Sequence, residues 1–259
     1  MQTILFHDTI FGPIHSRRLG TSLGVNLSPV DGKVCSFDCL YCEAGYNAQG
    51  TGKAGLPDAD SVLSQLEDKL RDMSERGDNL DVITFSGNGE PTMHPRFADI
   101  IDGTIALRDK YFPDVKISVL TNSTRLYCPD VAAALRRVDN NIAKLDSAID
   151  STMRALDRPV NRGLDTRAFV QWLSQFPGQV IVQTMLTRGV HDGEIVDNTT
   201  AAEIDALIDA YRAIAPRQVM IYSLDRPTPE LSLQKVPRQE LQAIADRITS
   251  ATGIPVSVA

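Results

Sequence analysis

The feature that most constrains the fold is an alternation of short β-type segments with longer helical patterns, which begins after residue 56. This rhythm is typical of βα units that feed one parallel sheet. The first helix is predicted over Ser61 to Arg76, where apolar residues recur every three or four positions before Gly77 ends it. A buried-strand pattern, Leu80 to Phe85, follows. The chain is therefore predicted to belong to the α/β class.

The same alternation continues to the end of the chain. Further helices are predicted over 95–112, 129–138, 166–176, 201–215 and 238–251, and further strands over 22–27, 115–120, 141–149, 180–186, 218–224 and 254–258. These segments make six βα units and a short terminal strand. Eight units would close a barrel, so six predict either an open, partial barrel or a doubly wound sheet. Both arrangements bind ligands at the carboxyl ends of the strands.

Length and composition predict one cytoplasmic domain. No linker rich in Pro, Gly or Ser divides the 259 residues, so a single domain over 1–259 is expected, with an N-terminal extension over 1–20 and a loop over 29–56. No apolar run reaches the roughly 18 residues of a membrane span, and no export signal is visible. The net charge of −7 disfavours binding to nucleic acid through a general positive field, although a local basic groove is compatible with it.

Three of the four cysteines lie within eight residues, as Cys35, Cys39 and Cys42 in the spacing C-x3-C-x2-C. Thiolates at such intervals can hold one face of an iron–sulfur cluster from a single loop, and three ligands leave one metal site open. A closed structural zinc site needs four ligands, and the candidates for the fourth, Cys128 and four histidines, are scattered singly. The alternatives to an iron–sulfur cluster are a structural zinc site and a chance grouping of three buried cysteines.

The cysteine spacing, with Tyr41 at the aromatic position, resembles the signature of the radical S-adenosylmethionine (SAM) superfamily. The resemblance implies a partial (β/α)6 barrel of the radical SAM type. It also implies that Cys35, Cys39 and Cys42 hold a four-iron four-sulfur (4Fe-4S) cluster within the loop 29–56. SAM would chelate the open iron, and Tyr41 would lie near the adenine.

A second segment resembles the same superfamily independently. The strand Leu80 to Phe85 runs into Ser86-Gly87-Asn88-Gly89-Glu90-Pro91, which is similar to the family's Gly-Gly-Glu-Pro motif. Glycines let the backbone approach a ligand closely, and a carboxylate can complement an ammonium group. The resemblance implies that four residues bind the methionine end of SAM: Gly87, Asn88, Gly89 and Glu90. Asn88 departs from the simplest Gly-Gly form.

Polar residues also close the next two predicted strands. Asn122 follows the third strand, while Lys144 and Asp146 punctuate the fourth. Family structures place ribose-binding and carboxylate-binding groups at these levels, so the resemblance implies SAM contacts here. Three arginines beside strand ends or proline-containing loops are candidates for binding an anionic substrate or the SAM carboxylate: Arg158, Arg188 and Arg226.

The resemblance implies reductive cleavage of SAM to a 5′-deoxyadenosyl radical, which takes hydrogen from a substrate. An external electron donor, flavodoxin or ferredoxin, would supply the electron, and no acid or base of the protein is obligatory. Residues 12–27 are similar to the N-terminal approach of proteins grouped with wyosine-tRNA synthases. Those proteins carry further cysteines for a second cluster, whereas only Cys128 is left over here.

The sequence leaves the substrate open between three alternatives. The first is tRNA or another nucleic acid, for which Arg17, Arg18, Lys33 and Lys53 are the basic residues available near the cysteine loop. The second is a protein partner, as for a glycyl-radical activase. The third is a non-catalytic iron–sulfur or zinc module. A substrate borne on a macromolecule is predicted, because a six-unit barrel leaves its strand-end face laterally open.

Overall fold

The computed structural model describes residues 4–16 and 19–259. In chain order its elements are β1 (Ile10–Ser16), β2 (Gly20–Val25), α1 (Ala59–Arg76), β3 (Val82–Phe85), α2 (Phe97–Tyr111), β4 (Lys116–Thr121), α3 (Pro129–Leu135), β5 (Asn140–Lys144), α4 (Asp150–Asp157), α5 (Thr166–Leu173), β6 (Ile181–Met185), β7 (Thr187–His191), β8 (Glu194–Asp197), α6 (Ala201–Ile214), β9 (Gln218–Tyr222), β10 (Gln234–Lys235), α7 (Arg238–Thr252) and β11 (Val256–Val258).

The main sheet has eight strands in the order β1-β2-β3-β4-β5-β6-β9-β11. β1 pairs with β2 in antiparallel fashion, and every other neighbouring pair is parallel. The six predicted βα units and the terminal strand are therefore all present, and the prediction of an α/β fold of the partial-barrel type is confirmed. The carboxyl ends of seven parallel strands meet along one edge of the sheet.

The first long helix, α1, shows how local sequence builds these units. The Asp58 side chain accepts hydrogen bonds from the backbone N–H groups of Asp60 and Ser61, which caps the helix N-terminus. Gly77 ends the helix with φ 70°, a left-handed conformation that glycine adopts without strain. Leu63 of the predicted apolar face is half-buried, and its other four residues are fully buried: Val62, Leu66, Leu70 and Met73. Each such side chain stabilises the fold by roughly 1.5–3 kcal/mol.

Five elements were missed in the sequence: β1, α4, β10 and the two strands of the β7–β8 hairpin. The hairpin turns at Asp192 and Gly193, which have φ 51° and 84°. Two positive φ values mark a type I′ turn, so the Asp-Gly pair was the available signal. The predicted strand 141–149 was too long, since β5 ends at Lys144. Beyond that point Asp146 accepts a hydrogen bond from the Met185 N–H instead of continuing the ladder.

The strands β10, β7 and β8 form a second, small sheet. A separate apolar cluster joins it to the cysteine loop, with Leu40 and Leu156 packed against Val196 and Leu233. The Glu230 N–H also donates to the Leu40 carbonyl, at 3.2 Å. The small sheet therefore fixes the cysteine loop from the side. Within residues 4–16 and 19–259, no helix has the length and apolar character to cross a membrane.

Candidate functional site

The cysteine loop, residues 29–56, follows β2 at the carboxyl edge of the sheet and is hydrogen-bonded to the C-terminal end of α4 and to the segment after it. The Asp38 N–H donates to the Asp157 carbonyl at 3.0 Å, and the Leu40 N–H donates to the Leu156 carbonyl at 3.0 Å. Farther along, the Val160 N–H donates to the Ser36 carbonyl at 2.9 Å. Backbone pairing on both sides of Cys39 thus holds the cysteines in place.

Lys33 is buried within this loop, where its ammonium group contacts a backbone carbonyl and a carboxylate of the same loop. It is 4% exposed, and its Nζ donates to the Gly45 carbonyl at 2.7 Å and lies 3.7 Å from an Asp38 oxygen. A buried ammonium with these partners cannot face an RNA, so the prediction of Lys33 as a phosphate contact is wrong. Lys53 is exposed. The other two residues of that predicted patch, Arg17 and Arg18, lie outside the described residues.

Two of the cysteine thiols are strongly desolvated. Burial and, to a smaller extent, the nearby Glu90 carboxylate together raise the pKa of Cys35 to about 11. Burial also raises the pKa of Cys39 well above its ordinary value, although the Lys144 ammonium opposes the effect. Metal ligation needs thiolates, so a bound metal has to displace these protons. The fourth cysteine, Cys128, does not belong to this loop and occupies the N-cap position of α3.

The cysteines do not enclose a point at which one ion would sit. In the part of the chain that the structure describes, no three His, Cys, Asp or Glu side chains converge as the ligands of a single metal ion do. A 4Fe-4S cluster makes a different demand on its ligands, because each thiolate binds its own iron.

The segment Gly87 to Glu90 is fastened to the residue that precedes the first cysteine. The Val34 N–H donates to the Asn88 carbonyl at 3.2 Å, and the Glu90 N–H donates to the Val34 carbonyl at 3.0 Å. A Cβ atom on Gly89 would lie 1.9 Å from the Val34 carbonyl oxygen. Gly87 has φ 151°, and a Cβ there would lie 2.4 Å from the Asn26 Oδ1. Close approach of the Val34 backbone therefore requires glycine at position 89, and the positive φ together with the Asn26 side chain requires it at position 87.

The Asn88 side chain points into the protein rather than towards the open edge. It is fully buried, and its Oδ1 accepts from the Phe6 N–H at 2.8 Å. Its Nδ2 donates to the carbonyl oxygens of Phe6 and Pro29, at 2.8 and 2.9 Å. Asn88 thus ties the N-terminal segment to the cysteine loop, and both of its N–H donors are already used.

Glu90 and Asn122 form a hydrogen-bonded chain that reaches the first cysteine. The Glu90 Oε1 accepts from the hydroxyls of Thr92 and Thr121, and its Oε2 accepts from the Asn122 N–H at 2.6 Å. Burial raises the pKa of Glu90, while these hydrogen bonds oppose the rise. The Asn122 Nδ2 donates to the Ser36 Oγ at 2.9 Å and lies 3.5 Å from the Cys35 Sγ.

A buried charge cluster surrounds the second cysteine. The Lys144 Nζ lies 3.0 Å from the Cys39 Sγ, 3.1 Å from Asp146 and 2.6 Å from Asp157. The Tyr41 hydroxyl accepts from Lys144 and donates to Asp146. Burial lowers the pKa of Lys144, but the two carboxylates outweigh burial and hold it well above its ordinary value. A lysine cation therefore stands beside Cys39.

Asp157 is the member of this cluster that sequence reasoning missed. It closes α4, a helix of eight residues whose short apolar pattern was not recognised. Burial raises the pKa of Asp157, against the opposing effect of the Lys144 ammonium. A lone acid at the end of an unpredicted helix gave no signal of its own.

The structure brings Tyr41, Glu90, Asn122, Lys144 and Asp146 to the same edge as the cysteine loop. Two of the predicted arginines are engaged in ion pairs instead. Arg188 makes two contacts with Glu240, at 2.9 and 2.7 Å, and Arg226 pairs with Glu43 at 2.7 Å. Arg158 also lies against the cysteine loop, 3.5 Å from Asp38, and the Glu43 that pairs with Arg226 belongs to the same loop.

Curated relatives resemble most of this chain. It is 28% identical over 221 residues to a UPF0026 protein of Helicobacter pylori, covering 85% of this chain and 67% of that protein. It is 26% identical over 254 residues to a Brachyspira hyodysenteriae protein named GTPase Obg, covering 96% of this chain and 35% of that protein. This chain therefore spans about one third of the Brachyspira protein.

Solved structures share the fold at low sequence identity. A radical SAM methyltransferase from Sphaerobacter thermophilus aligns with TM-score 0.66 and 19% identity, over 92% of this chain and 65% of that one. SuiB of Streptococcus suis, bound to its precursor peptide SuiA, aligns with TM-score 0.63 and 13% identity, over 91% and 48%. TYW1 with a lysine-pyruvate adduct aligns with TM-score 0.59 and 11% identity, over 90% and 75%.

The family model named Radical SAM superfamily matches residues 30–200, which is more than half of the chain. The matched range includes the three clustered cysteines, the Gly87 to Glu90 segment and the charge cluster around Lys144. This chain belongs to the radical SAM superfamily.

Proposed function

We propose that this chain is a radical SAM enzyme that holds a 4Fe-4S cluster on Cys35, Cys39 and Cys42 and cleaves SAM reductively. The observation that carries the proposal is the backbone pairing of Val34 with the Gly87 to Glu90 segment. It fastens the proposed cluster ligands to the proposed SAM-binding residues, at the strand ends where parallel folds bind ligands.

The residues present fit the group that the family implies. Three thiols come from one loop, and the ammonium of Lys144 lies beside one of them, which suits a thiolate because a nearby cation stabilises its charge. When bound, the cluster and SAM supply the one-electron cleavage that yields the 5′-deoxyadenosyl radical. The work of the chain is to orient SAM and to keep water and stray hydrogen donors away.

Glu90 is the residue that we assign to the amino group of SAM. Its Oε2 accepts one hydrogen bond among the described residues, from the Asn122 N–H, so a lone pair is left for an ammonium donor. Its Oε1 is already held by the Thr92 and Thr121 hydroxyls. A carboxylate fixed on one oxygen and open on the other can orient an ammonium group without moving.

Tyr41, Asn122, Lys144 and Asp146 are proposed to complete the SAM site. The ammonium of Lys144 lies 4.6 Å from the centre of the Tyr41 ring, and the hydroxyl of that ring is held by Asp146. The ring is therefore fixed in orientation before SAM binds, which lowers the entropy cost of stacking an adenine on it. Asn122 keeps the Cys35 loop at a fixed distance from Glu90.

We propose a macromolecular substrate, with an external flavodoxin or ferredoxin as the electron donor and a cytoplasmic location. The open edge of the barrel supports this choice, because a large partner can cover it. A protein substrate is the second candidate, which the alignment with SuiB bound to a precursor peptide supports at the level of the fold. The sequence similarity to the wyosine group supports RNA.

Anaerobic reconstitution tests the cofactor part of this proposal. The protein is expected to hold about four irons, and with dithionite and SAM it is expected to release 5′-deoxyadenosine and methionine. Glu90→Gln removes the charge that faces the ammonium and is expected to weaken SAM binding by about tenfold or more, with the iron content retained. Glu67→Gln, on the surface of α1, is the matched control. Intact SAM after long incubation with a reduced, fully loaded protein would exclude the catalytic function.

A further inference from the structure

A cleft of about 460 Å³ opens beside the cysteine loop, and three arginines line it: Arg154, Arg158 and Arg162. Its volume is in the range of ordinary ligand sites, roughly 300–1,000 Å³. The SAM contacts assigned above do not use these arginines. Only Arg158 was singled out in the sequence, and then as an isolated residue.

The path of the chain explains why three guanidinium groups meet here. Arg154 lies on the last turn of α4, and Arg158 follows the helix with φ 47°, a left-handed conformation that turns the chain. Pro159 then pairs with Phe37 of the cysteine loop, and the return of the chain brings Arg162 to the same cleft. Residues four apart on a helix and its extension are therefore gathered against the loop that carries Cys35 and Cys39.

The cleft keeps a positive charge although the whole chain carries −7. Asp38 is its acidic lining residue, and the Arg158 guanidinium lies 3.5 Å from it. Arg154 lies 3.6 Å from Asp150. Arg162 has no carboxylate within ion-pair distance among residues 4–16 and 19–259. These contacts are longer than the 2.7 Å pairs that engage Arg188 and Arg226, so the guanidinium groups keep donors for a ligand.

We propose that this cleft binds the phosphate groups of an RNA substrate, an inference that rests on the function proposed above. Guanidinium groups match phosphate oxygens with paired N–H donors. Three guanidinium groups offer more N–H donors than one carboxylate can accept from, whereas consecutive phosphodiester groups of an RNA supply several anionic oxygens.

Two side chains beside the arginines, Tyr46 and Val160, also favour an unpaired RNA segment. The Arg158 guanidinium lies 5.0 Å from the centre of the Tyr46 ring, so its plane is already supported from one side. Val160 is 65% exposed at the rim of the cleft. Unpaired bases stack on aromatic rings and on guanidinium planes, and a loop of RNA offers bases and phosphates together.

The cleft shares a wall with the loop that carries the proposed cluster ligands. Asp38 lies between Cys35 and Cys39 in sequence, and its side chain both faces Arg158 and accepts from the Asn47 N–H at 2.6 Å. An RNA held by its phosphates here would be anchored against that loop. The arginines would thus position the substrate and take no part in the chemistry.

The test compares two triple variants that change the net charge equally. One removes the cleft charges, as Arg154→Gln, Arg158→Gln and Arg162→Gln. The control removes three exposed arginines on α1 and α7 that pair with exposed acids: Arg71→Gln, Arg76→Gln and Arg247→Gln. Fluorescence anisotropy measures the binding of a single-stranded RNA oligonucleotide and of bulk tRNA by reconstituted protein, between about 50 and 300 mM salt.

Each phosphate contact contributes roughly 0.7 to the slope of log affinity against log salt for single strands. The cleft variant is expected to lose about 2 from this slope and at least tenfold in affinity, while the control keeps the wild-type slope. Arg162→Gln alone is expected to lose about one third of the effect. Since Arg162 has no described ion pair, its removal leaves the fold intact, which circular dichroism verifies.

Three results would overturn the proposal. Equal losses of affinity in both triple variants would show that RNA binds through the general electrostatic field of the protein. An unchanged salt slope in both variants would show that the cleft does not bind RNA. Failure of RNA to bind, together with cleft-dependent binding of an oligoglutamate peptide, would assign the site to a protein partner. SAM cleavage by the wild-type protein is scored separately, so a failed cleft and a failed cofactor function are distinguished.

Discussion

Gly89→Ala tests whether the cysteine loop and the Gly87 to Glu90 segment are fastened together as described. The added Cβ would lie 1.9 Å from the Val34 carbonyl oxygen, where ordinary contact begins near 3.4 Å. Because the nearest obstacle is the Val34 backbone, which cannot rotate away as a side chain can, the two segments must separate by about 1.5 Å. That separation breaks the hydrogen bonds from Val34 to Asn88 and from Glu90 to Val34.

The expected cost follows from these contacts. Two backbone hydrogen bonds contribute about 1 kcal/mol each, and relieving the overlap costs about 1–3 kcal/mol. We therefore expect the free energy of unfolding to fall by about 3–5 kcal/mol, measured by urea denaturation of the metal-free protein. The reconstituted variant is expected to lose iron and SAM binding together, since the same pairing positions both.

Gly163→Ala is the matched control. Its Cβ would meet one side-chain oxygen, of Asn161, at 3.3 Å, and no positive φ requires glycine there. We expect the free energy of unfolding to change by less than about 1 kcal/mol. If Gly89→Ala unfolds at the same urea concentration as the wild type and retains iron, the pairing of Val34 with Gly89 does not hold the site together.

Three further predictions concern the charges and thiols. Cys39→Ser is expected to lose most of the reconstituted iron and Cys128→Ser to retain it; equal losses would show that the ligands are misassigned. Lys144→Met leaves two buried carboxylates without a counter-charge and is expected to cost about 3–5 kcal/mol in urea denaturation, whereas Lys110→Met, at an exposed pair, costs about 1 kcal/mol or less; similar costs would contradict the burial argument. The hydrogen bond from His191 lowers the pKa of Glu230. The stability that this bond contributes is present above about pH 4.5 and is lost as pH falls through the lowered pKa. Glu230→Gln should flatten the fall in stability in that acidic range, and an unchanged pH profile would show that the pair is not formed.

The sequence by itself determined the order of the elements and the positions of the two motifs. Periodicity of three to four residues and buried-strand runs are local signals, so the six βα units could be predicted, and α1 begins within two residues of its predicted start. The cysteine triplet and the Gly87 to Glu90 segment are likewise local. Their common location follows from the parallel sheet, because the carboxyl ends of its strands share one edge.

Only the tertiary structure decided which side chains face that edge. Asn88 was predicted to bind SAM, yet its amide is used by Phe6 and Pro29, which lie far from it in sequence. The partner of Cys39, Lys144, is 105 residues away. Such contacts depend on how distant segments pack, and no pattern within a short window of residues encodes them.

The arginines also show that the charges around a side chain depend on the fold. Arg158, Arg188 and Arg226 look alike in the sequence, but ion pairs with Glu240 and Glu43 engage the last two, while the turn after α4 gathers the first with Arg154 and Arg162. Whether an arginine is available to a ligand depends on the carboxylates within about 4 Å of it, where Coulomb attraction is strong. Those neighbours are fixed by the fold, and the sequence lists the charges without their partners.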